Sequence, residues 1–202
     1  LMLHSARLGW MLALAITWGA FGGSLVLLSH VLTHGVISYH IGNWAPPWGI
    51  EYRIDLLGAL MLVTVSAVGA LSMIFARESV AREVAGERGY LFYTLYLLCF
   101  TGLMGMAITG DLFNFFVFLE ISALSSYVLI SLGKDRRALS ASFRYLVMGT
   151  LGATFYIIGV GLMYMMTGTL NMADLATRVP QMLHVKTIQA ALAFLTVGAS
   201  LK

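Results

Sequence analysis

The chain has 202 residues, 59% of them hydrophobic and only 10% charged, with a net charge of +3. A soluble domain carries about 25% charged residues, so this composition and a mean hydropathy of +0.87 exclude that class and point to an all-α membrane protein, a polytopic transmembrane helix bundle. The single cysteine, Cys99, excludes an intrachain disulfide framework and a cysteine-built metal cluster.

The chain opens on Leu1 rather than methionine and stops at Lys202 inside an apolar run; both ends read as cut. A crossing of roughly 30 Å of hydrocarbon needs about 20 apolar residues, and lipid leaves no partner for an open backbone, so each crossing is a helix. The first expected span covers 8–31. Its apolar run is too long for a signal-peptide core, and more spans follow. Gly19 and Gly23 form a GxxxG that suggests close packing. His30 and His34, spaced i, i+4 at its end, could offer two nitrogens to a metal, but no third ligand accompanies them; they read as interfacial polar residues, with no metal expected.

The stretch 33–53 contains HIGNWAPPWGIEYRID, with Trp44, Trp48, Tyr52 and the pair Pro46-Pro47. Aromatic residues favour the headgroup level and the prolines forbid a continuous helix. It reads as an interfacial loop or short hairpin. Spans at 54–76, 89–109 and 112–132 follow. Only Gly110-Asp111 separates the last two, which makes them antiparallel neighbours, and Asp111 can cap the later one. A fifth complete span is expected at 143–167, where Gly149, Gly152, Gly159 and Gly161 suggest helix contacts, and a sixth, truncated, at 187–202. The whole of 1–202 is one transmembrane domain.

Lysine and arginine collect on the cytoplasmic side of a membrane. The N-terminal side gathers eight of them: Arg7, Arg77, Arg82, Arg88, Lys134, Arg136, Arg137 and Arg144. The opposite side gathers three, Arg53, Arg178 and Lys186. The loops 77–88 and 133–142 are therefore read as cytoplasmic, with Glu78, Glu83 and Glu87 interleaved in the first, and 33–53 as non-cytoplasmic.

Of the nine acidic residues, eight fall in loops or at span ends. Glu120 alone is deep, nine residues after Asp111, or about 13–14 Å along a helix. A charge at that depth costs a few kcal/mol and usually serves a function; the bland alternative is a protonated carboxyl bonded between helices. Lys202, in the last apolar run, reads equally as a second deep charge or as a lysine snorkelling from a span end. Asn114, Ser122, Ser125, Ser126 and Tyr127 cluster near Glu120, and Tyr127 shares its helical face. Each serine could hold water, bond a neighbouring helix, or bond back to its own helix carbonyl. No GxGxxG, P-loop or nucleophile elbow is present, and no cofactor is expected.

TGDLFNFFVFLEISALSSYVLI resembles the signature of the antiporter-like membrane subunits of respiratory complex I (NADH:quinone oxidoreductase) and of Mrp-type cation/proton antiporters. RALSASFRYLVMGTLGATFYIIGVGLMYMMTGTLNMADLA is similar to the same family, most of all to its Mrp antiporter D-type branch. The resemblance covers essentially the whole chain. It implies a fragment of a roughly fourteen-helix subunit whose second to seventh spans are present here. It places Glu120 on the family's key glutamate of the fifth span and Lys202 on the key lysine of the seventh. Related subunits often carry lysine where this chain has Arg144, and no role is carried onto that residue.

The resemblance implies a translocase subunit of the bacterial inner membrane that moves protons, with or without sodium in exchange, alongside other membrane subunits of an antiporter or respiratory complex. No nucleic-acid partner is expected. Any NADH:quinone reductase activity would belong to the whole complex. Burial disfavours both charged forms of a Glu–Lys pair, contact restores them, and separation favours proton release. The alternative is a structural or assembly subunit whose charges only specify helix packing.

Overall fold

A computed structural model of the chain describes residues 6–84 and 88–202. Residues 85–87 of the expected loop 77–88, Glu87 among them, lie outside the described residues. Among the described residues five helices are long and apolar enough to cross a membrane: α1 (Ala6–His34), α2 (Leu56–Glu83), α3 (Gly89–Ile108), α4 (Leu112–Ser131) and α5 (Arg136–Thr167). A short helix α6 (Met172–Arg178) and a 3-10 turn, Val179–Met182, lead into α7 (Lys186–Ser200).

Within the stretch 33–53 the chain forms a hairpin rather than an open loop. Strands β1 (Ile37–His40) and β2 (Glu51–Ile54) pair antiparallel, with His40 opposite Glu51 and Ile37 opposite Ile54. Trp44 and Trp48 stand exposed at its tip.

Two helices outrun the hydrophobic stretches that announce them. α2 continues past residue 76 to Glu83, so most of the expected loop 77–88 is helical. Nothing between Arg77 and Glu83 breaks a helix, and Glu78 and Arg82 pair at i, i+4 across 3.7 Å, a contact worth a few tenths of a kcal/mol. α5 begins at Arg136, seven residues before 143, because the Asp135 carboxylate accepts from the Arg137 amide at 3.0 Å. The expected loop 133–142 thereby shrinks to a few residues. Hydropathy locates the start of lipid, whereas capping chemistry locates the start of a helix. Asp55, Asp111 and Asn171 cap α2, α4 and α6 in the same way, accepting from the amides of Gly58, Asn114 and Asp174.

The helices pack as a chain of neighbours. α1 lies on α2 and α3, α3 on α4, α4 on α5, and α5 on α7. Ala13, Met73, Val80 and Tyr93 fill the first junction, and Met163, Leu175, Ile188 and Ala191 the last. Two contacts bring backbones together. A Cβ on Gly102 of α3 would stand 2.7 Å from the Ser122 amide of α4, and one on Gly198 of α7 would stand 2.5 Å from the Tyr156 amide of α5. Small residues permit this approach where lipid supplies no hydrophobic drive. The GxxxG of α1 does not do so among the described residues: Gly19 and Gly23 face open space, as does Gly161. Elsewhere the outer surface is apolar, with Val26, Phe75 and Met165 all largely exposed, as a lipid-facing bundle requires.

Candidate functional site

Glu120 is the ninth residue of α4, about 12 Å from the start of that helix. Lys202 follows α7, and α5 packs against both α7 and α4. The close approach at Gly198 sets the depth of α7 against α5, and the lysine stem crosses Gly152, whose absent Cβ would lie 3.4 Å from its Cγ. The Lys202 ammonium then donates to Oε1 of Glu120 across 82 residues of sequence. The lysine side chain is 9% exposed and the glutamate 22%. The structure thus brings the two expected site residues into direct contact.

Tyr127 completes the surroundings. The ammonium stands 6.0 Å from its ring centroid, a geometry in which an aromatic face attracts a cation. The ring meets Tyr145 edge to face at 4.8 Å, and its carbonyl accepts from the Ser142 hydroxyl at 2.6 Å. The Tyr127 hydroxyl points at Gly149 of α5, where a Cβ would collide with it. That hydroxyl is buried and has no hydrogen-bond partner among the described residues.

The other polar residues near Glu120 do not face it. Ser122, Ser125 and Ser126 donate to the carbonyls of Leu119, Ile121 and Ser122 on their own helix. Ser126 also meets Cys99 of α3 at 3.3 Å. Asn114 donates to the Thr109 hydroxyl at 3.0 Å and belongs to the helix start. His30 and His34 stack at 4.5 Å on the exposed end of α1. Among the described residues no group of three or more His, Cys, Asp or Glu is placed to hold a metal.

A second buried carboxylate lies outside the spans, and sequence reasoning passed over it. Glu51 of β2 is 5% exposed. One carboxylate oxygen accepts from the Ser38 hydroxyl at 2.5 Å, the other from the Asn171 amide at 2.7 Å, and its carbonyl accepts from the Gly110 amide at 2.8 Å. Beside it the α3–α4 turn pairs with the segment after α5: the Leu112 amide donates to Leu170 and the Met172 amide to Gly110. One residue thus ties the hairpin, the start of α4 and the start of α6. Burial pushes the Glu51 carboxyl up, but its hydrogen bonds from Ser38 and Asn171, with the charges of Arg53 and His40, prevail and hold it below the ordinary value. Asp111 shows the reverse balance: burial outweighs the amides it accepts from, and its carboxyl is raised. The alternation in IEYRI was the available signal for a strand, but Asn171 lies 120 residues away and nothing local announces it.

Known proteins resemble this chain along most of its length. Residues 109–202 match the family model described as NADH:quinone oxidoreductase/Mrp antiporter, TM. The chain is 43% identical over 195 residues to the N-type subunit of NADH-quinone oxidoreductase from Desulforudis audaxviator, covering 96% of this chain and 38% of that protein. It is 37% identical over 177 residues to the D-type subunit of the Na(+)/H(+) antiporter from Alkalihalophilus pseudofirmus, covering 87% and 35%. The fold is similar to a chain of the membrane-bound sulfane sulfur reductase, an archaeal respiratory membrane complex, with a TM-score of 0.86 at 34% identity, covering 94% of this chain and 38% of that one. It is also similar to a chain of the Mrp complex from Dietzia sp. DQ12-45-1b, with a TM-score of 0.82 at 28% identity, covering 96% and 36%. The chain thus spans between a third and two fifths of the length of these relatives, and both the oxidoreductase and the antiporter branches match it.

Proposed function

The chain belongs to the NADH:quinone oxidoreductase/Mrp antiporter family of integral membrane subunits, and from that premise we propose that its full protein moves protons across the membrane, with or without sodium in exchange. Its setting is the bacterial inner membrane, with the stretches 77–88 and 133–142 on the cytoplasmic side. Its partners are the other membrane subunits of a multisubunit antiporter or respiratory complex.

The observation that carries this reading is the contact between Lys202 and Glu120. It is a single ion pair between helices that are not direct neighbours in sequence, at mid-helix depth, with the carboxylate still 22% exposed. Lys202 is the proton carrier and Glu120 the residue that sets its charge. In contact, each charge compensates the other. When the carboxylate is protonated or drawn away, the ammonium is left in an apolar place without a counter-charge, which favours loss of its proton. A proton moved against 100 mV requires about 2.3 kcal/mol, which is what a shift of about two units in proton affinity supplies at about 1.36 kcal/mol per unit. Tyr127 gives the ammonium a weakly attractive surface when the pair opens.

Transport in vesicles by the full-length protein with Glu120→Gln or Lys202→Ala tests the reading: both lose it, and near wild-type transport in both overturns it. The same ion pair also links α4 to the end of α7, which suits an assembly role instead. Blue native electrophoresis separates the two. Loss of the assembled complex favours the structural role, and an intact complex without transport favours translocation.

A further inference from the structure

At the end of the bundle where lysine and arginine collect, α2 carries two chemically different faces. Glu78, Ser79, Arg82 and Glu83 line one surface cleft, where Glu78 and Arg82 neutralise each other. Arg77, Val80 and Val84 line a different cleft, shared with Arg7 of α1, Tyr93 of α3 and Lys134 beyond α4. This second cleft has a volume of about 430 Å³ and no carboxylate among its described lining residues. None of Arg7, Arg77 and Lys134 takes part in an ion pair among the described residues. Two of the three are held in place by other means. The Arg77 guanidinium lies 5.2 Å over the Trp10 ring, which is itself fixed by donation to the Met73 carbonyl at 2.9 Å. The Lys134 ammonium is anchored on the Arg82 carbonyl at 2.6 Å.

Tyr93 also lines a second depression, about 640 Å³, in the groove between α1 and α3. Its walls are apolar, with Leu8, Leu12 and Ile16 at successive turns of α1 facing Leu91, Thr94 and Leu97 of α3. Eight residues of α1 cover about 12 Å of membrane depth. The combination is three cations without a paired carboxylate among the described residues, beside a long, mostly apolar trough that shares Tyr93 with their cleft.

We propose that this cleft and trough hold one anionic glycerophospholipid, its phosphate among Arg7, Arg77 and Lys134 and an acyl chain along α1 and α3. Charge selects the occupant. Zwitterionic lipid brings a choline or ethanolamine cation toward three existing cations, whereas an anionic headgroup supplies a counter-charge that the described lining residues do not; juxtamembrane lysines and arginines attract such lipids in this way. The trough explains why the site takes a lipid rather than a soluble anion.

The test is native mass spectrometry of the full-length protein in neutral detergent with added dioleoylphosphatidylglycerol or dioleoylphosphatidylcholine. The wild type retains the first in preference to the second. Arg77→Gln combined with Lys134→Gln lowers retention of the anionic lipid roughly tenfold or more. Arg82→Gln, on the other face of α2, leaves it unchanged, and Arg77→Lys with Lys134→Arg restores it. The restored variant also shows that the double change acts on charge and not on folding. Equal retention of the two lipids by the wild type, or an unchanged anionic adduct in the double glutamine variant, overturns the proposal. So does a photocrosslinker at Leu12 that captures another segment of the protein in place of lipid.

Discussion

Glu51 and Glu120 are both held inside this molecule, and they are held in opposite ways. Glu51 meets a hydroxyl, a side-chain amide and a backbone amide drawn from three separate segments. Each donor occupies a different acceptor atom, the two carboxylate oxygens and the backbone carbonyl. Glu120 meets a flexible ammonium and retains partial access to its surroundings. The first arrangement is a fixed joint, since both carboxylate oxygens have anchored donors. The second rests on one long side chain, which under the proposed function can open. A buried carboxylate is therefore not by itself evidence of function; the number and stiffness of its donors decide.

The comparison is broken most severely at Glu120. Glu120→Gln removes the charge yet keeps the shape, so transport by the full protein in vesicles falls to background while thermal stability changes little. At Glu51 the reverse is expected. Glu51→Ala strands the buried Asn171 amide and costs about 1–3 kcal/mol, read as a lower melting temperature in detergent, whereas the transport of the surviving folded molecules is preserved. Equal effects of the two substitutions on stability would remove the distinction.

Gly198→Ala probes the link between packing and the pair. Its Cβ meets the α5 backbone at Tyr156, and overpacking of this kind costs about 1–3 kcal/mol. α7 is displaced, Lys202 withdraws from Glu120, and transport drops although both charges remain. Acid sharpens the contrast further. The folded Glu51 carboxyl sits below its ordinary value of 4.5, so its contribution is complete above the unfolded value and is lost as pH falls through the folded one. Melting curves fall away below about pH 4.5 in the wild type, and this extra loss is absent in Glu51→Gln. The smallest effect is expected at Tyr127→Phe. Its buried hydroxyl has no partner among the described residues, so its removal leaves stability unchanged or raises it by up to about 1 kcal/mol and leaves the ring beside the ammonium.

Much of this was legible in the residues. The span helices follow from the apolar runs, and the cap at Asp111 from its place after a two-residue turn. The early start of α5 was also written in the chain, since Asp135 is a capping residue, but a hydropathy window does not see caps. The hairpin was one of two readings because four-residue strands carry too little alternation to declare themselves. Glu120 stood out by counting, whereas the choice of Lys202 as its partner came from the resemblance to a known family and not from spacing. The basic cleft was visible only as a surplus of positive charge, spread over Arg7, Arg77 and Lys134.

By itself the sequence determined that the chain is a bundle of membrane helices and that one carboxylate lies at mid-depth, because lipid enforces backbone satisfaction within each helix and length alone measures a crossing. Only the tertiary structure decided which charges meet. Glu120 reaches Lys202 across 82 residues and Glu51 reaches Asn171 across 120. Such meetings are set by how closely helices approach, and that distance rests on a few absent side chains, at Gly102, Gly152 and Gly198, whose effect no local pattern of hydropathy can express.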